Sequence, residues 1–181
     1  MEAVIEAPPE LIWKLWIETN NWGTYRIPFL RDSRTVTEEI ATAVGSTQQA
    51  DKFYQILDGR VFDSNADRRE GKVWSSYFFQ YYNVKWPFTD RWTICKVSND
   101  ERESDKGIYK AQWSHVAGNV RTLEGTLLLE PFEGNRKRTY MDYRLESDPG
   151  GFIPKFLVKV AVEKSMPAAI KAIRREALKR K

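Results

Sequence analysis

Apolar positions along this chain change their period twice, and the predicted elements follow from those changes. In "APPELIWKLWIETNNW" Leu11 and Leu15, and again Ile12 and Trp16, fall four apart on one stripe, while Pro8 and Pro9 suit a first helical turn. This predicts a short helix from about Pro8 to Ile17, preceded at Ala3 to Glu6 by the end of a short strand. Asn20, Asn21 and Gly23 break the helix, and "WGTYRIPFL" reads as a second helical turn running into a loop.

Beyond it the period falls to two. "RDSRTVTEE" and "DKFYQILDG" read as strands, the latter closed by the turn pair Asp58 and Gly59. "KVWSSYFFQYYNV" is a strand with aromatics on both faces. "RWTICKV" and "GIYKAQWSHV" flank one polar hairpin, and "EGTLLLEP" and "KRTYMDYRLE" flank another. Adjacent strands joined by short polar turns make an antiparallel meander, because parallel pairing would need a helix between each two.

The second change comes at "DPGGFIPKFL". Asp148 can cap, Gly150 and Gly151 permit a sharp change of direction, and Pro154 sits within a first helical turn. Ile153, Phe156, Leu157, Val160 and Ala161 then recur three and four apart, and Ile170, Ile173 and Ala177 carry the stripe past Pro167, which should kink or divide the helix. The order of elements predicts an α+β fold in one domain spanning residues 1–181. A curved antiparallel sheet has one face covered by the only helix long enough to cover it.

Composition narrows the chemistry. Aromatic residues make up 13% of the 181, with seven tryptophans, which suits a dense core or the wall of a cavity. The formal charge of +4 collects at the end, in Lys171, Arg174, Arg175, Lys179, Arg180 and Lys181. Such a cluster is a solvated helix face or a point of transient contact with an anionic membrane surface. No zinc-finger spacing or glycine-aromatic RNA-recognition motif points to nucleic acid. Cys95, the single cysteine, fits a reducing compartment, and the start lacks the basic and apolar segments of a secretory signal, so the expected location is the cytoplasm.

Nucleophilic catalysis finds little support. His115 is the single imidazole, Cys95 has no evident activating partner, and the two cannot build a usual zinc site. No nucleotide-binding glycine motif is present either. The expectation is therefore no catalytic set, no metal and no cofactor.

Taken in order, the "APPELIWKLW" opening, "VKWPFTDRW" entering a central strand, "EGTLLLEP" and "SDPGGFIPKFLVK" resemble the START-related helix-grip superfamily of lipid-transfer domains, plant ligand binders and polyketide cyclases. The resemblance implies a helix-grip fold: a curved antiparallel sheet wrapped around a long C-terminal helix, with two short helices after the first strand. It also implies an internal cavity for a lipid or another hydrophobic small molecule. Two alternatives stay open, a cyclase or aromatase in which Arg91, Tyr109 or His115 moves protons, and a co-chaperone-like interaction module. Only about six residues precede the first helix, fewer than the complete edge strand that the resemblance implies.

Within such a cavity the candidate wall residues are Tyr77, Phe79 and Tyr81 or their neighbours of opposite parity, Tyr109, Trp113, Tyr143, and Phe156 with Val160 from the helix. Arg91 is the candidate polar anchor, on a strand where Thr93 and Cys95 are small enough to leave space; a salt bridge to Asp90 is the competing reading. Asp142 and Arg144 are further anchors or solvent-facing residues. Trp22, Tyr25 and Phe29 are placed at the entrance.

Overall fold

The computed structural model describes residues 1–45, 71–84, 89–151, 153 and 155–180. Strand β1 (Glu2–Ile5) leads into helix α1 (Pro9–Ile17), a 3₁₀ segment (Thr19–Tyr25) and strand β2 (Leu30–Val36). Helix α2 (Glu38–Gly45) follows. The long strands are β3 (Val73–Tyr82), β4 (Arg91–Asp100), β5 (Tyr109–Gly118), β6 (Thr122–Phe132) and β7 (Asn135–Asp148), and helix α3 (Lys155–Lys179) ends the described chain.

Among the described residues the strands form one antiparallel sheet in the order β1-β7-β6-β5-β4-β3-β2. Four-residue β1 is short but paired, with Glu2 opposite Asp142 and Ile5 opposite Thr139. The meander from β3 to β7 has the predicted order, each strand beside its sequence neighbour. The expected strand "DKFYQILDG" lies outside the described residues.

One expectation is corrected. The strand over "RDSRTVTEE" stops at Val36, and Glu38 opens α2. Thr37 caps it: its Oγ1 accepts the Ile40 amide at 3.3 Å, and Glu38 and Glu39 lie in a first turn that favours negative charge. Of the two outcomes expected at Pro167, division does not occur: α3 runs continuously through it.

The sheet carries different layers on its two faces. On the inner face, Ile12, Trp13, Leu15 and Trp16 of α1 pack with Trp113, Leu127, Leu129 and Met141 of the sheet and with Ile170, Ala172, Ile173 and Ala177 of α3. Trp16 anchors this layer, 4.8 Å from the ring of Trp22, 5.3 Å from Trp113 and 6.0 Å from Tyr143. On the outer face α2 covers a separate cluster, with Val36, Ile40 and Ala41 against Tyr77, Phe79, Trp92 and Ile94. Gly125 is required by the inner layer: a Cβ there would stand 2.3 Å from Trp113 Cζ2 and 2.3 Å from the Arg144 carbonyl oxygen.

The basic end of α3 fastens that helix down. Arg174 donates to the Val4 carbonyl at 2.7 Å, Arg175 to the Tyr25 carbonyl at 2.6 Å, and Arg180 grips both Glu18 carboxylate oxygens at 2.8 and 2.7 Å. These side chains are held by their own protein. Lys181 lies outside the described residues. Among the described residues no helix is long and apolar enough to cross a membrane.

Candidate functional site

The inner layer is complete under the C-terminal half of α3 and incomplete under its N-terminal half. There a cavity of about 430 Å³ lies between the sheet and the helix. Its sheet wall is Gln80 and Tyr82 from β3, Arg91 from β4, Leu123 from β6, and Tyr143, Leu145 and Ser147 from β7. The helix side is Val158, Val160, Lys164, Ser165, Met166 and Ala169, with Ile153 just before it. Trp22, Ile27, Pro28 and Phe29 close a third side. Phe29 and Val160, each 40% exposed, mark where the cavity meets solvent.

The turn out of β7 shapes one end. Gly150 and Gly151 both have φ of 68°, a left-handed conformation that side chains resist. The Arg91 guanidinium holds this corner: Nε donates to the Pro149 carbonyl at 2.9 Å and Nη2 to the Gly150 carbonyl at 3.2 Å. Nη1 donates to Thr89 at both its carbonyl, 2.8 Å, and its hydroxyl, 2.5 Å. A Cβ on Gly151 would lie 2.7 Å from Arg91 Nη2, so the second glycine also makes room for this contact.

Among the described residues no carboxylate forms an ion pair with Arg91. Asp90 is turned elsewhere, accepting the Tyr81 hydroxyl at 2.5 Å and the Val84 amide at 2.8 Å. Arg91 is 8% exposed, and burial lowers its affinity for the proton without discharging it. A positive charge answered by neutral oxygens thus borders a mostly apolar space. The other polar wall groups are the Tyr82 and Tyr143 phenols, the Gln80 amide, the Ser147 and Ser165 hydroxyls and the Lys164 ammonium. Tyr82 donates to Gln80 Oε1 at 2.5 Å, and burial raises the pKa of both Tyr82 and Tyr143.

No family model matches the chain, and no curated protein matches it in sequence. Solved structures do match. The chain is similar to TTHA0849 from Thermus thermophilus, with a TM-score of 0.66 and 14% identity over 98% of this chain and 94% of that one. It is similar to a STAR-related lipid transfer protein from Xanthomonas axonopodis, with a TM-score of 0.65 and 14% identity over 97% and 82%. The Zhui aromatase/cyclase from Streptomyces sp. R1128 aligns at a TM-score of 0.57 and 12% identity over 99% and 92%. The fold is the START-like helix-grip.

Within this helix-grip frame the sequence-derived candidates separate. Arg91, Tyr143, Val160, Trp22 and Phe29 stand on the cavity wall. Phe29 reaches its place with φ of 68°, unusual for a bulky side chain. Trp113 lies deeper, its ring tilted against that of Tyr143 at 5.3 Å and bordering a smaller chamber behind it. The backbone of Phe156 belongs to α3, and its side chain lies outside the described residues.

The remaining candidates are placed elsewhere. Tyr77 and Phe79 point to the outer face, where α2 covers them and the Tyr77 hydroxyl donates to Glu38 at 2.8 Å. Tyr109 is core, its ring stacked 5.3 Å from Trp13. Tyr25 is 3% exposed under the fastened half of α3, where burial pushes its pKa up to about 12, and so is not at the entrance. Thr93 is fully buried off the wall, with its hydroxyl 2.9 Å from His115 Nδ1 and 3.5 Å from Cys95 Sγ. Burial lowers the His115 pKa and pushes the Cys95 thiol up to about 12, so this trio is a packed hydrogen-bonded cluster behind the cavity. Asp142 and Arg144 pair with each other at 2.8 Å on the surface.

Sequence reasoning missed Leu145 and Ser147 on the wall, and left Gln80 and Tyr82 only as the opposite-parity alternative to Tyr77 and Phe79. Two signals were available. Gln80 is the one non-aromatic residue in the run from Tyr77 to Tyr82, and the Thr37-Glu38-Glu39 start of α2 would have assigned the other parity to a second core.

Proposed function

We propose that this protein binds a hydrophobic small molecule, of lipid-like character, in the cavity beneath the N-terminal half of α3. The observation that carries the reading is the cavity itself. At about 24 cal/mol per Å³, a void of about 430 Å³ in a closed core would forfeit on the order of 10 kcal/mol, as much as the whole stability of a typical domain. The opening to solvent at Phe29 and Val160 makes that an upper bound. The size falls in the range of small-molecule sites, and the lining is of their kind, apolar with a few convergent polar groups.

Arg91 sets the preferred chemistry at one end. A guanidinium with no carboxylate partner among the described residues favours a carboxylate or carbonyl oxygen on the ligand. Two of the similar structures, the STAR-related lipid transfer protein and the aromatase/cyclase, fit a fold that encloses hydrophobic molecules.

Displacement of a fluorescent fatty acid tests the reading, together with native mass spectrometry of freshly purified protein. The wild type binds the probe. Ala169→Trp, which fills the cavity from α3, keeps the far-ultraviolet spectrum and loses binding. Equal binding by both proteins would place the ligand elsewhere.

A further inference from the structure

The cavity does not end at Tyr143. A second chamber of about 50 Å³ adjoins it, and Trp22, Gln80, Tyr82, Leu123, Tyr143 and Leu145 border both spaces. The character changes at the far wall, where Thr19, Thr35, Ser76 and Asn99 bring polar atoms. The two threonine hydroxyls satisfy each other at 2.6 Å. Asn99 is different: it is 2% exposed, and its Oδ1 has no hydrogen-bond partner among the described residues. A carboxamide buried without a partner is costly, and such groups commonly await a ligand or a water.

The strand register fixes where this amide stands. Arg91 pairs with Tyr82 and Asn99 pairs with Trp74, so the two residues occupy the same face of β4 at opposite ends of the strand. Eight residues at about 3.3 Å each separate them by roughly 26 Å along the strand. Apolar side chains fill most of the wall between.

We propose that the inner chamber is a polar subsite at the blind end of the cavity, and that Asn99 Oδ1 there accepts a hydroxyl from the ligand. The ligand is then an amphiphile with polar groups at both ends, an oxygen acceptor near Arg91 and a hydrogen-bond donor near Asn99. The inference rests on the reading of the main cavity as a ligand site. The chamber is too small for a ring or a branched head group, but it accommodates a terminal hydroxyl or one water.

Matched probes distinguish the possibilities. Saturated fatty acids of ten to sixteen carbons and their ω-hydroxy counterparts compete with a fluorescent fatty acid for the wild type, for Asn99→Leu and for Asn99→Ser. At the best-fitting length the ω-hydroxy acid binds about three- to tenfold more tightly than the plain acid, the worth of one hydrogen bond between neutral groups. Asn99→Leu abolishes that ratio and tightens the plain acid. Asn99→Ser keeps part of the preference through its hydroxyl. If no acid of either series binds at any length, the reading of the main cavity fails. If plain and ω-hydroxy acids bind equally to the wild type at every length, the main cavity stands, the chamber holds only water and the subsite is overturned. A preference that survives in Asn99→Leu overturns the role of Asn99. The wild-type ratio decides the subsite even if a variant does not fold.

Discussion

The two halves of α3 belong to one helix and carry similar apolar stripes, yet they do opposite things. Ile170, Ala172, Ile173 and Ala177 are at most 6% exposed, sealed against α1 and the sheet. Val160, one apolar residue of the other half, is 40% exposed and faces a cavity. The difference lies in what stands opposite. Under the C-terminal half, α1 inserts Trp16 between helix and sheet, and arginines fasten the helix to Val4, Glu18 and Tyr25. Under the N-terminal half no helix among the described residues intervenes, and the sheet wall stays apart from α3. A helix stripe therefore specifies a face to be covered, and the neighbouring element decides whether it is filled or left for a ligand.

The sharpest way to break the comparison is to remove the filler. Trp16→Ala should cost about 3–5 kcal/mol in urea denaturation, because a large buried aromatic leaves a cavity that its neighbours cannot close. A smaller loss would mean that α1 is not what seals that half. Gly125→Ala should cost about 1–3 kcal/mol, since its Cβ would push Trp113 off the sheet. Thermal melting of that variant reads the effect.

Arg91→Met acts on both sides of the comparison. Leaving the Pro149 and Gly150 carbonyls without their donor should cost about 1–3 kcal/mol. The same variant should lose at least about tenfold in affinity for a fatty acid but little for the fatty alcohol of equal length, the tenfold being about 1.4 kcal/mol. Equal losses for both probes would confine Arg91 to holding the corner.

Glu18→Gln should cost about 0.2–1 kcal/mol at neutral pH, since the Arg180 pair is partly exposed. Hydrogen bonding to Arg180 depresses the folded-state pKa of Glu18 below its ordinary value, so this contribution is present above the unfolded pKa and disappears as pH falls through the folded one. Wild type and Glu18→Gln should therefore converge in stability on acidification. Curves that stay parallel into acid would remove the pair from the fastening of α3. The smallest stability effect belongs to the open half: Val160→Ser should change stability by no more than about 0.5 kcal/mol while weakening probe binding. A large destabilisation there would mean that the half is closed.

Legibility in the sequence followed the length of each pattern. The long strands and the C-terminal helix were readable because each carries several turns or repeats of one period. Helix α2 was not, because its eight residues follow directly on β2 and share its apolar character; only the cap at Thr37 betrays the switch. That omission had a consequence at the site. With no layer assigned to the outer face, nothing in the sequence decided between Tyr77 with Phe79 and Gln80 with Tyr82 for the inner one, and the structure places Tyr77 and Phe79 on the outer face. Tyr109 and Tyr25 failed for a related reason: an aromatic of correct parity can be covered by α1 or by α3 as readily as by a ligand.

By itself the sequence determined the order of the elements, the antiparallel meander and the corner that turns the chain into α3, since these depend on local period, turn chemistry and the conformational freedom of Gly150 and Gly151. Which parity of β3 faces inward, which stretch of α3 is sealed, and whether Arg91 meets a carboxylate or a row of carbonyls were decided by the tertiary structure alone. Each of these depends on groups far apart in the chain, α2 on β3, α1 under α3 and Arg91 on Pro149, brought within a few ångströms only when the sheet assembles.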